Sequence, residues 1–192
     1  MKTHVKALKD LRACEEAVEY AAQFPDLQSA WDACERGAWM LWLAGRYSGE
    51  PGGEGRRPLV LAACACARLS LVHVPQGELR PLKAIETAEA WVRGDATPEQ
   101  VRASAEAAWA AAAEAARASA SWAAAWAAAS AAEAEASARA SAPWAAAWAA
   151  SSAAAAAAAS ASAAWAAAAR DETLKTCADI VRQFYPQAPT TC

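Results

Sequence analysis

TPEQVRASAEAAWAAAAEAARASASWAAAWAAASAAEAEASARASAPWAAAWAASSAAAAAAASASAAWAAAAR, residues 97–170, is the stretch on which the fold turns. Of the 67 residues from 103 to 169, 44 are alanine. Alanine loses no side-chain entropy on entering a helix and is the strongest helix former. Its small face also lets two helix axes approach near the short end of the usual range of ~8–10 Å. The tract predicts helix and close helix packing, and it offers little chemistry. Thr97-Pro98-Glu99-Gln100 reads as its start, with a hydroxyl cap, proline at the first position and Gln three residues after the cap. A single helix over residues 98–140 would run about 65 Å. A compact chain of this length has a radius of gyration of roughly 16 Å, so a break or a projecting arm is required. Pro143 marks the break, because proline inside a helix costs about 3 kcal/mol.

Two regularities run through the tract. Ser119, Ser130, Ser141 and Ser152 recur at three-turn spacing. Trp122-Ala-Ala-Ala-Trp126 reappears as Trp144-Ala-Ala-Ala-Trp148, mirrored about residue 135. A helical hairpin turning between residues 133 and 143 would set the two pairs at similar heights on antiparallel helices.

Outward from the tract, residues 173–185 regain an amphipathic pattern, with Leu174, Cys177, Ile180, Val181 and Phe184 apolar. Residues 186–192 read as a frayed tail. On the other side, Pro81 opens a helix that Gly94 ends, and Pro58 opens another. In that second helix residues 59–72 carry one charge, Arg68, so it reads as the core helix of the N-terminal half. Residues 47–57, with four glycines and a proline, are a loop. Trp39-Met40-Leu41-Trp42-Leu43 is apolar on every side and needs burial all round or a partner. Gly37 suits a helix C-terminal cap or a bend. Asp26 reads as an N-cap for a helix whose stripe is Leu27, Ala30, Trp31 and Cys34. Residues 6–22 form one apolar stripe, from Val5 and Leu8 through Leu11 and Cys14 to Val18 and Ala21.

The fold class expected is all-α. A single helical domain spans residues 1–192, with an N-terminal cluster (1–96), an Ala/Trp-rich hairpin (97–170) and a C-terminal helix (171–186). A formal charge of −3 gives no ground for a nucleic-acid or anionic-membrane partner. The start of the chain shows no secretory hydrophobic segment. The uncharged run 140–169 could span a bilayer by length, but it lacks Leu, Ile, Val and Phe and contains several serines. A cytoplasmic protein is expected. Its six cysteines then read as reduced thiols, since most lie within apolar helical patterns.

Catalysis needs convergent acid, base, nucleophile or metal ligands, and none is legible. His4 and His73 are isolated, and Cys64-Ala-Cys66 has no second ligand pair at zinc-site spacing. Phosphate-loop, dinucleotide and nucleophile-elbow motifs are missing from the sequence. No enzyme activity, cofactor or metal is therefore expected. The excess is in tryptophan, ten in all. Each buries on the order of 200 Å² and supplies bulk that alanine lacks, so packing alone accounts for Trp31 and Trp91. Trp122, Trp126, Trp144 and Trp148 must sit at the margin of a close-packed seam, covering the N-terminal half or lining a groove. Together with Trp39 and Trp42 they form the candidate binding set, since Trp is enriched at binding hot spots. Arg46, Arg56 and Arg57 join it as a basic loop ahead of a helix N-terminus, where anions are favoured.

Four segments carry a resemblance: LQSAWDACERGAWMLWLAGR (27–46), RRPLVLAACACARLSL (56–71), RPLKAIETAEAWVRGDATPEQVRA (80–103) and CADIVRQFYP (177–186). With the alanine-rich tract between the last two, they resemble the all-helical immunity-protein family of bacterial polymorphic-toxin loci, phages and prophages. The family carries an acidic residue just before its Trp-Met-Leu-Trp run, where this chain has Ala38. The resemblance implies a non-enzymatic protein that neutralises a protein toxin or effector by occluding it. The residues alone leave a second role open: a phage-encoded protein sequestering a small anionic or nucleotide-like signalling ligand. Homo-oligomerisation stays open too, since an alanine face can pair with a second copy.

Overall fold

The computed structural model describes residues 2–50, 53–117 and 163–190. Over these it is all-helical, without a strand. Eight α-helices follow one another: α1 (Thr3–Asp10), α2 (Glu15–Ala22), α3 (Leu27–Ala33), α4 (Gly37–Tyr47), α5 (Arg57–Arg68), α6 (Arg80–Arg93), α7 (Pro98–Arg117) and α8 (Ala163–Phe184). Short 3₁₀ turns, Glu54–Arg56 and Leu71–His73, flank α5. The hairpin turn, Pro143, the serine repeat and Trp122, Trp126, Trp144 and Trp148 lie outside the described residues. So does most of the uncharged run; among the described residues no helix is long and apolar enough to cross a membrane.

α5 is the central strut. Leu59, Val60, Ala62, Ala63, Cys64, Cys66 and Ala67 are all fully buried. The helix contacts α4, α6 and α8. Its two inner cysteines point at different neighbours: Cys64 Sγ lies 3.9 Å from the Ile85 carbonyl on α6, Cys66 Sγ 3.9 Å from the Cys177 carbonyl on α8. Burial for Cys64, and for Cys66 a hydrogen bond with Cys177 followed by burial, keep both thiols protonated well above the ordinary range. The helix is shorter than its apolar run. Ser70 Oγ donates to the Ala67 carbonyl at 2.6 Å, the local bond by which serine competes with helix continuation. Beyond it Val72 is 81% exposed instead of in the core.

α6 and α7 form an antiparallel pair. Gly94, at φ 87°, adopts the left-handed cap that ends α6. Gln100 Oε1 accepts from Thr97 N–H at 2.7 Å while Thr97 Oγ1 accepts from Gln100 N–H at 3.3 Å, a complete capping box. Val101, Ala105, Ala108 and Ala111 are the buried stripe of α7. Three alanines in that stripe let α7 lie close on α6. Arg68 clamps α5 to α6 through a two-pronged pair with Glu89 at 2.9 and 2.7 Å.

On the other side, α8 crosses α4 at Gly37. A Cβ on Gly37 would fall 2.4 Å from the Cys177 Cβ, so only glycine permits this approach. Gly37 starts α4 and does not cap the preceding helix; the cap or bend expected of it is corrected by that contact. α8 also begins earlier than residue 171, because the alanines ahead of Arg170 continue the helix. Nor is the tail free. Trp31 Nε1 donates to the Tyr185 carbonyl at 3.0 Å, and Ala188 N–H donates to Gln28 Oε1 at 2.8 Å, tying residues 185–188 to α3.

The single helix expected over residues 6–22 is two. α1 ends in a Schellman turn, with Ala13 N–H on the Leu8 carbonyl and Arg12 N–H on the Lys9 carbonyl, both at 2.9 Å. Arg12 takes the left-handed position at φ 61°, where glycine is usual. The turn holds the apolar stripe in phase, so Val5, Leu8, Val18 and Ala21 still reach one core. Asp26 caps α3 as expected, accepting from Ser29 N–H at 2.7 Å.

Candidate functional site

α4 follows from a sequence with no polar face to give to water. Met40, Leu41, Leu43 and Ala44 turn inward against α5 and α8 and are buried. Trp39 and Trp42, three apart, share the remaining side and are only partly buried. Each indole sits under a cation. The Arg36 guanidinium lies 5.2 Å from the Trp39 ring centroid, and that of Arg46 lies 5.8 Å from the Trp42 ring. Such cation–π contacts are worth about 0.5–1 kcal/mol at exposed sites.

Trp39 and Trp42 form one wall of a cleft of about 440 Å³. The α1–α2 turn and α2 face them with Arg12, Cys14, Ala17 and Tyr20, and α3 supplies Trp31 and Cys34. Leu174 of α8 closes one side. Tyr20 packs tilted against Trp39 at 5.7 Å and against Phe24 at 4.9 Å, so the aromatic side chains brace one another. Volume and lining fall in the range of small-ligand and hot-spot pockets. A second depression between α6 and α7 is larger, about 670 Å³, but its lining mixes charges of both signs, among them Lys83, Glu86 and Asp95.

Beneath the cleft the polar groups are neutral or spoken for. Tyr20 Oη donates to the Ala30 carbonyl at 3.4 Å, and burial pushes its phenol up to about 12. Burial likewise raises the Cys34 thiol, whose sulfur accepts from Arg36 N–H at 3.4 Å. Arg182 of α8 donates to the Cys34 carbonyl at 2.8 Å and pairs with Asp179 at 3.2 Å, completing the exposed end of α3. Among the described residues the charged side chains lining the cleft are Arg12 and Arg36, with no carboxylate.

The expected site set divides. Trp39, Trp42 and Arg46 come together on α4. Arg56 does not stand in an open basic loop: it is 5% exposed, and its Nε donates to the Gly49 carbonyl at 3.1 Å while Nη1 is buried without a partner among the described residues. Arg57 is exposed and lies 3.4 Å from Glu54. Arg12, Arg36 and Tyr20 were missed. Arg36 precedes Trp39 by three residues, a helical spacing that could have flagged it. Arg12 left no local signal, since glycine is the usual mark of its conformation. Among the described residues no three His, Cys, Asp or Glu side chains gather as a metal site. Compared with family models, with curated proteins and with solved structures, the chain finds no match.

Proposed function

We propose that this chain is a non-enzymatic binding protein of the immunity type, neutralising a toxin or effector protein by seating on it, with the α2–α4 cleft at the centre of the contact. One observation carries the reading. Two tryptophans on α4 stay partly exposed, each beneath an arginine, at the wall of an apolar cleft open to solvent. Trp and Arg around a water-excluding pocket are the composition of binding hot spots. The resemblance of residues 27–46 to immunity proteins adds to it, since the same segment supplies α3 and α4. The test pairs capture with rescue. A protein retained by the wild-type chain, lost with Trp39→Ser or Trp42→Ser, and toxic unless co-expressed with the wild type supports the reading. Failure of any protein partner to appear from the native host counts against it.

A second reading, sequestration of a small anionic or nucleotide-like ligand, is favoured by the charge of the lining, which among the described residues is two arginines and no carboxylate. Thermal shift across a nucleotide panel tests it, and no stabilisation by any of them sinks it.

A further inference from the structure

The cleft has an apolar interior and a cationic mouth. Inside stand the rings of Tyr20, Trp31, Trp39 and Trp42, with Leu8 and Leu174 at the edges. At the mouth, the Arg36 guanidinium carbon lies 5.2 Å from the Trp39 ring centroid, and a guanidinium held over a ring face keeps its N–H donors for other partners. Those donors match a planar acid group in two-pronged geometry. Arg12 faces the same space from the α1–α2 turn. Among the described residues neither arginine has an ion pair with a carboxylate, whereas Arg57, Arg68, Arg80, Arg93 and Arg182 each have one. Tyr20 and Cys34 are neutral at pH 7, so the charges on the described lining are those of the two arginines.

We propose that this cleft binds a planar aromatic anion: a fused-ring or biaryl body seated among Tyr20, Trp39 and Trp42, carrying a carboxylate or phosphate ester that Arg12 and Arg36 hold at the mouth. The shared chemistry is a flat apolar body with one acid group at its edge. The proposal rests on the second reading above, in which the cleft takes a small anionic ligand.

The experiment titrates the full chain by calorimetry with three probes of one ring system: 2-naphthoate, 2-naphthyl phosphate and neutral 2-naphthol. Both acids should bind at least tenfold more tightly than the naphthol. Arg12→Gln and Arg36→Gln, both at exposed positions, should each weaken the acids about tenfold and leave the naphthol within twofold. Ala38→Trp, which fills the cleft beside Trp39, should abolish all three while helical circular dichroism is retained. A phosphate preference assigns the natural ligand to phosphate esters, and a carboxylate preference to aryl acids; either supports the site. Acids binding no better than naphthol, or acid binding that survives Ala38→Trp, overturns it. The two readings separate cleanly. If an effector is captured and Arg12→Gln and Arg36→Gln leave that capture intact while the acids fail, the ligand chemistry falls and the docking function stands. Tight acid binding with no protein partner gives the converse.

Discussion

Replacing Gly37 with alanine tests the packing that positions α4. The added Cβ would sit 2.4 Å from Cys177 Cβ, 2.7 Å from the Cys177 carbonyl carbon and 2.8 Å from the Ala178 nitrogen. Ordinary contact begins near 3.4 Å, so α4 and α8 must separate by about 1 Å. Two of the three atoms are backbone, and no rotamer change relieves them. Overpacking of this kind costs roughly 1–3 kcal/mol, occasionally more. Alanine's helix propensity returns at most about 1 kcal/mol. Because helices and not a side chain must move, the net loss should be about 2 kcal/mol. At ~2–4 °C per kcal/mol for a chain of this size, Tm falls by about 4–8 °C. Urea unfolding followed by circular dichroism measures the loss. A Cys177→Gly background removes the nearest atom and leaves the two backbone contacts. Gly37→Ala should therefore cost less there, with a coupling energy of about 1 kcal/mol. An unchanged urea midpoint, or the same cost in both backgrounds, refutes the close crossing.

Further outcomes follow from other contacts. Arg12→Gly should raise stability by about 0.5–1 kcal/mol by relieving the left-handed backbone at φ 61°, visible as a higher Tm, while weakening the anionic probes. Thr97→Ala removes one arm of the capping box and should cost about 1 kcal/mol in urea unfolding. Arg182→Met leaves the Cys34 carbonyl without its donor and should cost about 1–2 kcal/mol, with Trp fluorescence reporting loosening around Trp31. Alkaline pH should destabilise the chain. Cys34, Cys64, Cys66, Tyr20 and Tyr185 all have folded-state values above their ordinary ones, mainly through burial, with a hydrogen bond to Cys177 leading for Cys66. The unfolded chain loses those protons first, so stability is full below about pH 9 and falls as pH rises through the window up to about 12. Tyr20→Phe should make that fall shallower, and a urea midpoint unchanged between pH 8 and 11 contradicts the burial of these groups.

Helix identity was legible wherever a cap or a stop is written into neighbouring residues. Asp26, Thr97 with Gln100, and Gly94 each work through bonds within three or four positions. So was the central place of α5, because residues 59–67 leave no face for solvent. What escaped depends on distant partners. Gly37 looks like a stop until Cys177 is placed against it. The segment after Tyr185 looks loose until Gln28 and Trp31 supply its hydrogen bonds. The break between α1 and α2 hides because the Schellman turn keeps the apolar spacing in step and puts arginine where glycine is usual. Of the tryptophans singled out, the four in the alanine tract lie outside the described residues, and Trp39 and Trp42 share a wall. Their opposite wall comes from α2, and no local spacing announces which turn residue will face them.

The bonds that fasten residues 185–188 to α3 also set a timetable. Trp31 and Tyr185 stand 154 positions apart. At roughly 5–20 residues per second, a ribosome needs on the order of 10 seconds to deliver the second after the first. Through that interval the face of α4 that α8 will cover has no cover, and the cleft lacks Leu174. The nascent N-terminal half must wait with Trp31 and the helices around it unsealed. It completes its fold only when α8 arrives, so a message cut short before α8 would leave a sticky fragment for chaperones and proteases to deal with.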